Sequence, residues 1–260
     1  MNGQTIIITG GGGGMGSAMA KRFAHAGANI VIAGRSLETL EKAKTDIEHH
    51  ENQVLCVQMD VRKIEDVNRM VEETLATFGK IDHLVNNAAG NFLVNAEDLS
   101  VNGWNAIIDI VLNGTFYCTQ AVAKEWIKTG HKGSILNMIA TYAWGAAPGI
   151  VHSVVAKAGV LGMTRTLAVE WGNKYGIRVN AIAPGPIEGT GSTDRFRGTE
   201  DAVAKAKNSV PLKRLGSPNE VAGLAAFMLS EEGSYLNGEC ITLDGGHHLN
   251  TQAFNYFAKK

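Results

Sequence analysis

The stretch at residues 6–23, IIITGGGGGMGSAMAKRF, constrains this chain more than any other. Three β-branched residues, Ile6, Ile7 and Ile8, run into a glycine cluster that passes straight into a helical pattern. β-Branched side chains favour a strand, and glycine allows positive φ and a close approach of backbone to ligand. The helix that opens near Met15 points its free N–H groups and positive dipole end at an anion. Within the stretch, Thr9-Gly10-x-x-x-Gly14-x-Gly16 has the spacing of a dinucleotide-binding turn. A strand before it and a helix after it distinguish such a turn from an ordinary glycine-rich loop.

Strand and helix patterns alternate through the rest of the chain. Strands are predicted at 29–33, 54–58, 81–85, 134–138, 178–183 and 239–243. Helices are predicted at 37–49, 64–78, 103–128, 151–171 and 218–229. One helix between successive strands requires right-handed crossovers, hence a parallel sheet with helices on both faces. The strands are near-continuous apolar runs, as strands covered on both faces are. The expectation is an α/β fold: one doubly wound, Rossmann-type domain over residues 1–260, with seven parallel strands in the order 3-2-1-4-5-6-7. The longest irregular region, 184–210, leaves the C-terminal end of a strand, where such sheets bind ligands. It predicts a substrate lid at about 185–212, with a short helix near 200–207.

Composition removes several functions. Apolar residues make up 45% of the chain, charged residues 19%, and the net charge is −1, a balance with no footprint for nucleic acid. No segment reads as the ~20 apolar residues of a membrane span, and the N-terminus shows no basic leader. Cys56, Cys118 and Cys240 are far apart and odd in number, so they are expected as reduced thiols rather than metal ligands or disulfides. The pairs His49-His50 and His247-His248 have no ligand partner at useful spacing and read as solvated surface, so no metal is expected. A cytoplasmic enzyme fits these features.

The end of strand 2 bears on the choice of cofactor. An NAD-specific protein usually places an acid there for the ribose 2′-OH. This chain has Ala33-Gly34-Arg35-Ser36, and a guanidinium there suits a 2′-phosphate. Asp60-Val61, after strand 3, can accept from the adenine amino group. Asn86-Asn87-Ala88-Ala89-Gly90 leaves strand 4 with small residues that let the backbone pass under a cofactor. NADPH is the expected cofactor.

TGxxxGxG at Thr9–Gly16, NNAAG at Asn86–Gly90, Pro184-Gly185 after strand 6 and Leu243-Asp244-Gly245-Gly246 together resemble the short-chain dehydrogenase/reductase family over nearly the whole chain. The usual members carry Tyr-x-x-x-Lys, with a Ser before the Tyr and an Asn on the preceding helix. Here Lys157 is present, but Ser153 stands at the Tyr position, Ala140 at the Ser position and Val111 at the Asn position. A serine hydroxyl cannot replace a phenol of pKa about 10 as proton donor. Either the chain is a cofactor-binding scaffold without turnover, or it uses another acid. Tyr142 with Lys157 and Ser153, Asn91-Phe92, the run DIVLNG from Asp109, and Pro184-Gly185-Pro186-Ile187 followed by Gly189 resemble the 2,4-dienoyl-CoA reductases of the family.

That resemblance implies NADPH-dependent reduction of a dienoyl-CoA to a 3-enoyl-CoA in the degradation of unsaturated fatty acids. Tyr142, Asn91, Ser153 and Lys157 would be the catalytic set. Thr9, Gly10, Gly14, Met15, Gly16, Arg35, Asp60, Val61, Asn87, Ala88, Gly90, Lys157 and 184–187 (Pro184, Gly185, Pro186 and Ile187) would hold the cofactor. Arg35, Arg62, Phe92, Ser100 and Arg195 would meet the acyl-CoA, and the resemblance further implies a homotetramer. An NADPH-dependent reductase of another carbonyl or enoyl substrate is the alternative within enzymes.

Overall fold

In the computed structural model, which describes residues 1–48, 53–190 and 200–250, the glycine turn joins β1 (Thr5–Thr9) to α1 (Gly14–His25). There follow β2 (Asn29–Gly34), α2 (Leu37–Ile47), β3 (Val54–Gln58), α3 (Ile64–Phe78) and β4 (His83–Asn86). The second half runs α4 (Val101–Ile108), α5 (Gly114–Thr129), β5 (Ser134–Met138), α6 (Val151–Tyr175), β6 (Arg178–Pro184), α7 (Glu200–Ser209), α8 (Pro218–Leu229) and β7 (Cys240–Leu243). All seven strands are parallel, in the order β3-β2-β1-β4-β5-β6-β7. The order reverses beside β1, so the crevice at the C-terminal ends of β1 and β4 is the natural ligand site.

Two apolar layers cover the sheet. On one face Ile6, Ile8, Ile30 and Ile32 pack beneath Met19 and Phe23 of α1, Leu40 of α2 and Val221 and Met228 of α8. On the other face Ile7, Val31 and Leu84 meet Val67 and Met70 of α3 and Val122 and Trp126 of α5. Helix α8 starts cleanly because Ser217 and Glu220 cap each other's amides and Pro218 follows the cap.

The predicted single helix at 103–128 is interrupted. Residues Asp109–Asn113 form one π-helical turn between α4 and α5. Such a turn widens the helix by one residue and recurs at functional sites. Here it holds Val111 buried at the position where the family's Asn would stand. The run Val101–Thr129 is long and apolar enough to cross a membrane, contrary to the sequence expectation. Its apolar face is nevertheless core: Val122, Ala123 and Trp126 lie in the layer described above.

A buried histidine at the N-terminal end of the central strand β4 sets an acid limit on stability. His83 is buried and neither ring nitrogen has a hydrogen-bond partner, so burial pulls its pKa down from 6.5 to about 4. The unfolded chain therefore binds a proton that the fold rejects between these values. Stability from this group is complete above about pH 6.5 and is lost as pH falls toward 4, by roughly 3 kcal/mol in all. His83→Leu is expected to flatten that part of the curve, measured as urea midpoints at pH 7 and pH 5.

Candidate active site

A cavity of about 360 Å³ opens at the predicted crevice, between Gly10, Gly13, Gly14 and Met15 of the turn, Arg35 after β2, Asp60 and Val61 after β3, and Asn87 and Ala88 after β4. Its floor demands glycine. A Cβ on Gly10, whose φ is +65°, would lie 3.0 Å from the Ala88 Cα, and one on Gly16 only 2.3 Å from the Gly10 carbonyl oxygen. Gly13 caps α1 without a side chain, which leaves the first amides of the helix for a ligand. The Arg35 guanidinium stands at the rim with no hydrogen bond or ion pair of its own among the described residues.

The remaining predicted cofactor residues divide by role. Thr9 and Asn87 brace the turn: the Thr9 hydroxyl accepts from the amides of Asn87 and Ala88 at 3.1 Å, and the Asn87 side-chain amide donates to the carbonyls of Thr9 and Gly10 at 3.1 Å. Gly16 lies behind the turn and lets α1 approach it. Gly90, Pro184, Gly185, Pro186 and Ile187 do not line the cavity. Pro184 ends β6 and the other three follow it, clasped by the Gly185 amide donating to Leu243 and the Gly216 amide donating to Pro186. The Asp60 carboxylate is held by Arg62, whose Nε donates to it at 2.9 Å, and that hydrogen bonding keeps its pKa below the usual range against the effect of burial. Arg62, expected to meet the substrate, is therefore ion-paired. The cavity also includes Ile110, Gly189 and Thr190, which the sequence reading did not assign as site residues. The DIVLNG and Pro-Gly-Pro-Ile runs contained the signal for Ile110 and Gly189.

Beyond β5, a short 3₁₀ turn at Thr141–Ala143 carries Tyr142 toward the start of α6. The Tyr142 hydroxyl lies 3.0 Å from the Ser153 hydroxyl. Burial pushes the Tyr142 phenol up, and the Ser153 hydrogen bond offsets only part of that, so the ring keeps its proton through the neutral range. One helical turn further on, the buried Lys157 ammonium donates to the Met138 carbonyl, and burial lowers its pKa to about 8. Tyr142 thus meets Ser153, and Lys157 stands one turn further along α6.

Asn91 accepts the Phe92 amide on its Oδ1 at 2.9 Å, and its side-chain NH₂ has no partner among the described residues. Phe92 stands edge-on to His152, with ring centroids 4.4 Å apart. Ser100 is occupied as the cap of α4, accepting from the Gly103 amide at 3.1 Å. Arg195 and the His49-His50 pair lie outside the described residues. His248 is exposed, in line with the surface reading, and its ring lies 2.7 Å from the Asp244 carboxylate. Spacing alone could not show this, since the contact depends on how the chain turns at Gly245 and Gly246. Among the described residues the cysteines are free thiols, with pKa values raised by burial to about 11 for Cys56 and Cys240 and about 12 for Cys118. No metal-binding cluster occurs among the described residues.

Comparison with known proteins identifies the family. Residues 10–248 match a family described as enoyl-(acyl carrier protein) reductase. A probable 2,4-dienoyl-CoA reductase, (2E)-enoyl-CoA-producing, of Bacillus subtilis is 58% identical over 98% of this chain and 100% of the relative. A probable 2,4-dienoyl-CoA reductase, (3E)-enoyl-CoA-producing, of Caenorhabditis elegans is 45% identical over 95% of this chain and 82% of the relative. The crystal structure of a short chain dehydrogenase from Bacillus anthracis superposes with a TM-score of 0.87 at 59% identity, covering 95% of this chain and 97% of that one.

Proposed function

The chain belongs to the short-chain dehydrogenase/reductase family of nicotinamide-dependent oxidoreductases, and from that premise we propose that it reduces 2,4-dienoyl-CoA thioesters to 3-enoyl-CoA with NADPH. The observation that carries the reading is the contact of Tyr142 with Ser153, one turn from the buried Lys157. It supplies a phenol where the family's usual Tyr position holds a serine. The names of the Bacillus subtilis and Caenorhabditis elegans relatives support the substrate class.

The glycine cradle and the unpaired Arg35 fit a dinucleotide with a 2′-phosphate. Lys157 would hold the nicotinamide ribose, and the 184–187 segment would receive the carboxamide. When bound, the reduced nicotinamide supplies the hydride that adds at C5 of the diene. Tyr142 O–H and the free NH₂ of Asn91 then donate to the thioester oxygen as it gains charge, an arrangement whose value lies in fixed donors that need no reorganisation. Ser153 holds the phenol in place. The electron pair returns to carbon on protonation. A proton at the α carbon gives a 3-enoyl product, and one at C4 gives a 2-enoyl product. Product analysis by NMR is expected to find the 3-enoyl ester, and a 2-enoyl ester would place this chain with the product named for the Bacillus subtilis relative. The matching family description favours a second reading, reduction of a simple 2-enoyl thioester, and activity on 2-hexenoyl-CoA would support it.

Arg35 carries the preference for NADPH. Arg35→Ala is expected to weaken NADPH binding by about 10- to 100-fold, the worth of a charge-assisted phosphate contact, and to leave NADH nearly unchanged. Fluorescence titration of both cofactors measures this. A homotetramer is part of the proposal. Exposed apolar side chains on α5 (Phe116, Ile127) and α6 (Val151, Val155, Val169) support self-association, which light scattering would test.

A further inference from the structure

Asp244 and His248 form a carboxylate–imidazole pair that the reaction as described leaves without a task. β7 ends at Leu243, and Gly245 and Gly246, with φ of +62° and +83°, turn the chain into a short 3₁₀ helix at His247–Leu249. That turn brings His248 back over Asp244. The carboxylate accepts the His248 amide at 2.7 Å, the ring Nδ1–H at 2.7 Å and the Gly246 amide at 2.9 Å. Burial pushes the Asp244 carboxyl up, but these hydrogen bonds outweigh it, so the group is ionised and fixes the ring. Nε2 is left with no partner among the described residues, and the His248 side chain is 28% exposed, within reach of a ligand.

Both neighbours of the pair adjoin segments given a role in the proposed reaction. The His248 ring meets Trp144 edge-on at 6.1 Å, and Trp144 follows Tyr142 by two residues. Asp244 packs on Gly185, where an added Cβ would lie 2.5 Å from the Asp244 Cβ. The pair therefore lies between the Tyr142 turn and the segment after β6.

The proposed reduction requires a proton on carbon as well as a hydride, and Tyr142, which donates a hydrogen bond to oxygen, does not account for it. Resting on the reading that the site reduces a dienoyl thioester, we infer that His248 is the acid that delivers this proton. Hydride supplied by a bound reduced nicotinamide would form the C–H bond at C5 and leave the electron pair of the diene on the thioester oxygen. The Nε2–H bond of the imidazolium then breaks as a C–H bond forms at the α carbon and the thioester carbonyl re-forms. The neutral imidazole regains its proton from water, while Asp244 holds Nδ1–H throughout.

The test uses His248→Ala and His248→Asn, the second of which keeps a side-chain N–H for Asp244 but has no Nε2. Turnover of 2,4-hexadienoyl-CoA is expected to fall about 100-fold or more in both, the usual contribution of a positioned acid. NADPH affinity should stay at the wild-type value, while the thermal midpoint should fall in His248→Ala, which strips the buried Asp244 carboxylate of the ring hydrogen bond, and fall less in His248→Asn. Added imidazole should restore part of the rate in His248→Ala, which a purely structural role would not allow. Turnover retained in both variants, or a loss that imidazole does not restore, overturns the inference and leaves the dienoyl-CoA reading standing. Wild-type protein inert toward the dienoyl ester overturns both.

Discussion

Tyr142→Phe is expected to lower kcat on a dienoyl-CoA by about 100- to 1000-fold, the range for removing one donor to a developing oxyanion. NADPH affinity should not change, because the phenol lies beyond the cofactor cavity. The substitution also leaves the buried Ser153 hydroxyl without its partner, so stability should drop by about 1–3 kcal/mol. Ser153→Ala separates the two effects: it removes the brace but keeps the phenol, and should cost less in rate than Tyr142→Phe. Steady-state kinetics beside a thermal melt distinguish them. A Tyr142→Phe enzyme with near-wild-type kcat would mean that another group serves as the donor.

Lys157→Met should show the opposite balance between activity and stability. The Lys157 ammonium is buried, with one hydrogen bond to the Met138 carbonyl. Its pKa of about 8 against 10.5 in the open chain means that the fold penalises the charged form by roughly 3 kcal/mol at pH 7. Methionine removes that penalty and forfeits the hydrogen bond, for an expected net gain of about 1–2 kcal/mol in the protein without cofactor. Turnover and cofactor affinity should fall sharply, as they do when a strained functional group is replaced for stability. The sign is checkable. The folded protein releases this proton near pH 8 and the unfolded chain near 10.5, so wild-type stability recovers between these values. The gap between wild type and Lys157→Met in urea midpoints should narrow from pH 7 to pH 9.5.

Local patterns made much of the fold legible. The predicted bounds of β3, α3, β5 and α8 agree with the structure because each is a periodic apolar run closed by clear signals, such as Gly79 after α3 or Ser217-Pro218 before α8. The π turn at Asp109–Asn113 was not legible. It contains neither proline nor glycine, and it ends beside Gly114, which packs so closely on Val61 that an added Cβ would lie 2.6 Å from the valine. That is a tertiary constraint, invisible to periodicity.

The site divides in the same way. Tyr142, Ser153 and Lys157 could be grouped because two of them share a helix face and the third sits just past a strand end. The pairing of Asp60 with Arg62, the capping role of Ser100 and the Asp244–His248 pair depend on loop geometry, which residue spacing does not encode. Gly16 shows the converse: its pattern marks it as a cofactor residue, and the structure adds a packing demand that the pattern does not state, the close approach of α1 to the Gly10 carbonyl.

The most direct test of the central claim is loss of nicotinamide absorbance with NADPH and 2,4-hexadienoyl-CoA, run beside NADH and a 3-ketoacyl-CoA. The dienoyl ester should oxidise NADPH rapidly and NADH little, and the keto ester should oxidise neither. Oxidation by the keto ester, or no oxidation with either ester while NADPH still binds, would contradict that claim.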